Sequence, residues 1–170
     1  MEYLVFLRLI HIVCVVIWAG GMIYLAFFVM PASKRLGADG AKFIQQLSGT
    51  NKLPIVMNVA AILSIVTGIL LMRKLLGGIN LAVFKSTHGT MIVIGGILAI
   101  AGFIIGVSVN MPAARRMSSI GRKVATSGSQ PARGQLAELQ RLRARSSVAT
   151  NVIALLLFAS LVIMSIVKYY

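Results

Sequence analysis

The chain contains two histidines, His11 and His88, and each lies inside an apolar run. The first run reads Tyr3-Leu-Val-Phe-Leu-Arg8-Leu-Ile-His11-Ile-Val-Cys14-Val-Val-Ile-Trp18, and the second Leu81-Ala-Val-Phe84-Lys85-Ser-Thr-His88-Gly89-Thr-Met91. In both, a cation, Arg8 or Lys85, stands three residues before the histidine. On a helix that spacing puts cation and imidazole on one face, one turn apart. Each histidine is about seven residues in from the start of its run, which at the helical rise is roughly 10 Å of depth in both cases. Two level imidazoles with a cation above each are what a haem held between helices requires. The ring nitrogens would be axial ligands of the iron, and the cations would face the propionates.

The expected cofactor is therefore haem b, with His11 and His88 as iron ligands and Arg8 and Lys85 near the propionates. Trp18 shares the face of His11 and Cys14 at i, i+3 and i+7. Gly89, next to His88, would leave room for a flat macrocycle. Plainer roles stand beside these: histidines hydrogen-bonded within a bundle, Trp18 and Cys14 as packing residues, and Gly89 as a helix contact. An ionisable residue inside a span is nevertheless a functional candidate, because burying it costs free energy.

Other chemistries find less support. Zinc or copper would want three or four ligands. The spans offer two histidines, one cysteine and scattered methionines (Met22, Met57, Met72, Met91) with no tight M-x-x-M spacing. No C-x-x-C-H occurs, which excludes covalent haem attachment. The acids are Glu2, Asp39 and Glu138, none of them inside an apolar run. A carboxylate relay for proton-coupled transport and a hydrolase carboxylate pair are thus both missing. No phosphate loop of the G-x-x-x-x-G-K type is present. Whether the chain is an enzyme is left open by these residues.

The elements that must position the histidines are membrane spans. Of 170 residues 58% are apolar and 12% charged, a composition that belongs in a bilayer. Four runs, at about 3–30, 53–72, 81–111 and 147–167, are long enough to cross about 30 Å of hydrocarbon. They predict an all-α integral membrane four-helix bundle, a single transmembrane domain over residues 1–170. The first run does not read as a cleavable signal peptide, because it opens on Glu2, is too long, and lacks a small-residue cleavage pattern.

The net charge of +14 does not point to nucleic acid. Twelve of the 17 cations fall in two loops, 31–52 and 112–146, on one side of the membrane. That is the positive-inside pattern. It predicts cytoplasmic basic loops and both termini outside, with membrane lipid, other membrane subunits or an acidic partner as possible contacts and no nucleic-acid partner.

Along the chain, Pro31 and Pro112 are expected to end or kink the first and third spans, and Pro54 to sit in the first turn of the second. Residues 73–80 form a loop so short that the second and third spans must be antiparallel neighbours. Residues 126–134 read as a flexible break. After it, Gln135–Ser146 extends the fourth span, with Glu138 placed to pair with Arg141. Gly102-x-x-x-Gly106 predicts a close helix contact. A weak repeat relates Met30-Pro-Ala-Ser-Lys-Arg to Met111-Pro-Ala-Ala-Arg-Arg, and Phe6-x-Arg8-x-x-His11 to Phe84-Lys85-x-x-His88. Two repeated helical hairpins would explain it, and so would two similar membrane exits.

The run Leu9-Ile-His11-Ile-Val-Cys14-Val-Val-Ile-Trp18-Ala-Gly20-Gly21-Met-Ile-Tyr24 resembles the first helix of a group of small bacterial membrane proteins. The group includes CopD-like copper-resistance domains, HemJ-type protoporphyrinogen oxidases and a family of uncharacterised four-helix proteins. The shared pattern is histidine, six residues, tryptophan, then glycines. Lys85 and His88 look like the group's lysine- and histidine-bearing third helix. The Pro-Arg that HemJ-type proteins carry after Tyr-Leu is absent, Ala26-Phe27 standing there, and the long basic loop looks more like the uncharacterised family. The resemblance implies the bacterial cell membrane, with haem binding in the HemJ case and copper handling in the CopD case. Three functions thus follow as expectations. The first is a membrane haem-b protein for electron transfer or haem-linked redox chemistry. The second is a non-catalytic accessory subunit docking through the glycine face of the third span. The third is a copper import protein.

Overall fold

A computed structural model describes residues 2–77, 83–127 and 132–169. They form five helices: α1 (Glu2–Arg35), α2 (Gly37–Gly49), α3 (Leu53–Leu76), α4 (Thr87–Val124, helical on to Ser127) and α5 (Arg133–Ile166). No strand occurs among the described residues. α1, α3, α4 and α5 are each long and apolar enough to cross a membrane. The chain is an all-helical, multi-pass membrane bundle.

The outer faces are apolar: Val5, Leu9, Ile12 and Val16 on α1, and Ile94, Ile97 and Ile104 on α4 are exposed. In lipid such faces need no cover, so the interior is selected for close approach instead. Its core joins Trp18, Met22, Ile153 and Leu157 with Ala19, Ala60 and Ala61. α4 packs most extensively on α5, and α1 on α3, while α1 also meets α5 and α3 meets α4.

Three glycines of α4 make the α4–α5 contact possible. A Cβ at Gly95 would sit 3.0 Å from Met164, one at Gly102 3.6 Å from Ile153 Cγ2, and one at Gly106 3.8 Å from Ile153 Cδ1. Ser160 Oγ donates to the Gly95 carbonyl at 2.8 Å. The expected Gly102–Gly106 contact is therefore present. It is made within the chain, against α5, while beside Gly96 nothing lies within 4 Å.

The two Met-Pro sequences do not end their helices. α1 widens into a π-helical turn at Leu25–Val29 directly before Met30-Pro31, and α4 does so at Gly106–Asn110 directly before Met111-Pro112. Proline lacks an N–H and crowds the carbonyl four residues back. A π turn absorbs that mismatch and lets the helix continue. Both helices consequently run past the boundaries of 30 and 111 expected from sequence. The matched device strengthens the resemblance between the two halves.

The first basic loop holds a helix that was not anticipated. α2 turns back across the end of α1, where Gly40 lies so close to the Ser33 backbone that a Cβ would collide with it. Ser33 Oγ donates to the Gly40 carbonyl at 3.1 Å. Pro54 stands in the first turn of α3, as expected. In the second basic loop helix continues to Ser127 and resumes at Arg133. Gln135–Ser146 is thus helical and continuous with the span. Residues 128–131 of the expected break lie outside the described residues, as do 78–82 of the connection between the second and third spans. Glu138 pairs with Arg116 at 2.8 Å, across to α4, instead of with Arg141.

Candidate functional site: two histidines on two helix pairs

α1 presents His11 to α3. The half-buried ring places Nδ1 2.9 Å from the Ser64 carbonyl oxygen and 3.1 Å from Thr67 Oγ1. The single proton of the Thr67 hydroxyl is engaged by the Leu63 carbonyl at 2.6 Å, the bond a threonine makes back along its own helix. Both neighbours of Nδ1 are therefore acceptors, so Nδ1 carries the proton and donates it. The Nε2 lone pair is left free, and no hydrogen bond reaches it among the described residues.

Ser64 and Thr67 are 4% and 5% exposed, in an otherwise apolar helix. Gly68, one position further, supplies the space for the ring: a Cβ there would lie 3.0 Å from His11 Cε1. Sequence reasoning missed these three residues. Their signal was present as Ser64-x-x-Thr67-Gly68, small and polar positions on one face of a span.

His88 is held by a different pair of helices. Its Nδ1 lies 3.0 Å from the Val167 carbonyl, at the end of α5. A carbonyl only accepts, so Nδ1 of this ring too carries the proton and donates it. An imidazole whose Nδ1–H is fixed by a backbone carbonyl is the form in which histidine ligates metal.

The two histidines do not hold matching positions in their helices. His11 is the tenth residue of α1, which starts at Glu2, whereas His88 is the second residue of α4, which starts at Thr87. The expected start near 81 is displaced because Ser86 caps the helix, its Oγ accepting from the Gly89 N–H at 3.1 Å. This N-cap was legible in Ser86-Thr-His-Gly89. Counted from Met-Pro at the shared end, His11 is 19 residues away and His88 is 23. The difference of four residues is roughly 6 Å of rise. The matching places, about seven residues in from each start, are therefore not the places the histidines take in their helices. As a haem ligand His11 fits in tautomer and surroundings, while His88 fits in tautomer but stands at the end of the bundle.

The remaining candidates fall into place around this. Arg8 is exposed on α1, one turn before His11. Lys85 is exposed in the short 3-10 turn Val83–Lys85, outside α4, so it does not share a helix face with His88. Trp18 is 5% exposed and meets Phe103 edge-on with ring centroids 6.3 Å apart, a packing contact between α1 and α4. Gly89 is buried against the Val83 carbonyl, where a Cβ would collide. Its lack of a side chain serves the turn entering α4. Cys14 is buried and free. Among the described residues no group of three His, Cys, Asp or Glu side chains is placed to hold a metal ion.

Comparison of the chain with protein-family models, with curated proteins and with solved structures finds no match.

Proposed function

We propose that this protein holds b-type haem in the membrane through His11, for electron transfer or haem-linked redox chemistry. One observation carries the reading: His11 Nδ1 faces two acceptors at 2.9 and 3.1 Å, leaving Nε2 as a fixed, unprotonated donor inside a span. Bound haem would supply one-electron redox chemistry. The chain's own contribution is orientation. The Ser64 carbonyl sets the tautomer and fixes the direction of the ring, and Gly68 lets the imidazole approach α3 closely. Arg8, one turn nearer the end of α1, is the cation available to a propionate. His88 and Lys85 stand toward the same end of the bundle as Arg8, and the iron is held without them in this reading. The basic end is proposed to face the cytoplasm on the positive-inside rule.

The test is direct. The full chain, made in haem-replete bacterial cells and purified in mild detergent, should carry b-type haem by its pyridine haemochrome spectrum. A folded, monodisperse and colourless protein contradicts the reading.

The accessory-subunit reading keeps one supporting observation. α4 is the span least covered by its own chain, with Ile94, Ile97 and Ile104 exposed along it. Cross-linking from Ile97 in native membranes should then capture a larger subunit and not lipid alone.

A further inference from the structure

The chain has 17 Lys and Arg but only three acids. Asp39 is taken by Lys42 at 3.1 Å and Glu138 by Arg116 at 2.8 Å. The third, Glu2, opens α1 at the opposite end of the bundle. The cations of the basic end therefore greatly outnumber the acids that the chain can offer them, and their counter-charge must come from outside.

One place at that end carries two such cations on a single helix face. Where α5 passes from its basic to its apolar half, Arg141, Ala144, Arg145 and Val148 follow one another at i, i+3, i+4 and i+7. Together with Ala149 and with Val109 from the π turn of α4 they line a shallow, open and almost wholly apolar groove between the two helices, to which the arginines give their aliphatic stems. Arg141 and Arg145 make no ion pair among the described residues. Ala144 between them leaves the floor low. Val148 and Val109 continue the groove toward the apolar half. A second groove on α4 contains Arg115 and Arg116, but there Arg116 is already committed to Glu138.

We propose that the α4–α5 groove binds an anionic phospholipid, with its phosphate between Arg141 and Arg145 and an acyl chain along Val109 and Val148. The change from guanidinium to valine within one helical turn matches the change from headgroup to hydrocarbon in a leaflet. Two guanidinium forks suit a phosphodiester, which each can hold through paired N–H donors. A lipid of net charge −1 is favoured over a zwitterionic one because no acid lies in the groove to receive a choline or an ethanolamine. The same end of the bundle is the one that the positive-inside rule directs to the anionic leaflet.

The experiment uses the full chain in nanodiscs of phosphatidylcholine alone and of phosphatidylcholine with about one-fifth phosphatidylglycerol. The anionic lipid should raise the thermal midpoint by several degrees, and Arg141→Gln/Arg145→Gln should lose most of that rise. Arg133→Gln/Arg143→Gln removes equal charge from the same helix outside the groove and should keep it. The proposal is overturned if the groove variant keeps the full shift, or if the control variant loses as much. It is also overturned if millimolar inorganic phosphate in phosphatidylcholine discs produces the same shift, which would identify a free-anion site. Native mass spectrometry of the unaltered protein covers the case in which the groove variant does not fold. Retention of phosphatidylglycerol over phosphatidylcholine by at least several-fold is expected, and equal retention overturns the proposal.

Discussion

His11 donates from Nδ1 to Thr67 Oγ1 at 3.1 Å, joining α1 to α3 by a polar contact inside two otherwise apolar faces. The same Nδ1 reaches the Ser64 carbonyl, so the imidazole is oriented by one helix and carried by another. Interhelical hydrogen bonds of this kind contribute about 0.6 kcal/mol on average in membrane bundles. Thr67→Val should therefore cost only about that much stability, because the Ser64 carbonyl remains. It should leave the tautomer unchanged, and Thr67→Ser should be neutral. Reversible unfolding in bicelles and the ring nitrogen shifts of labelled histidine measure the two parts. A ring that becomes Nε2–H in Thr67→Val would contradict the assignment.

Gly68 sits under the same imidazole. A Cβ 3.0 Å from Cε1 obliges the ring to move by a few tenths of an ångström. Gly68→Ala should lower haem occupancy and stability together, whereas Gly96→Ala, where nothing lies within 4 Å, should change neither. Haem-to-protein ratio and midpoint temperature of the two variants, side by side, check this.

The α4–α5 contact grades the response at Gly102. A methyl there would stand 3.6–3.7 Å from Ile153 and Leu157, an ordinary contact. Gly102→Ala should be tolerated. Gly102→Leu should destabilise by about 1–3 kcal/mol, the cost of overpacking a filled core. A leucine variant as heat-resistant as the parent would mean that the helices part freely at this point.

Orientation is tested independently of any ligand. With twelve cations in 31–52 and 112–146, a cysteine introduced at position 128 in a Cys14→Ala background should resist impermeant maleimide in intact cells and react after lysis. Labelling from outside would reverse the proposed topology.

What the sequence disclosed and what it concealed divide along physical lines. Span number, the Gly102–Gly106 contact and the helical nature of Gln135–Ser146 follow from hydropathy and periodicity, which act locally. The place of His88 in its helix does not. Extending the apolar run back to Leu81 overlooked Ser86, whose side chain starts α4 six residues later. The prolines were read by their usual effect, yet Pro31 and Pro112 are accommodated by π turns that depend on the preceding residues as a group. Glu138 was assigned its nearest cation on the same helix. The structure gives it Arg116, which only the folding of α4 beside α5 brings within 2.8 Å. Ser64, Thr67 and Gly68 matter because of the helix they face, and that pairing is tertiary.

The measurement that bears most directly on the central claim is the haem spectrum of His11→Ala beside that of His88→Ala, each folded and purified like the parent. Ligation by His11 predicts a b-type spectrum in the parent, its loss in His11→Ala, and its retention in His88→Ala. A parent without haem contradicts the account outright. Equal loss in both variants, from a low-spin parent, would contradict the assignment to His11 alone and mean that the two rings meet across one iron.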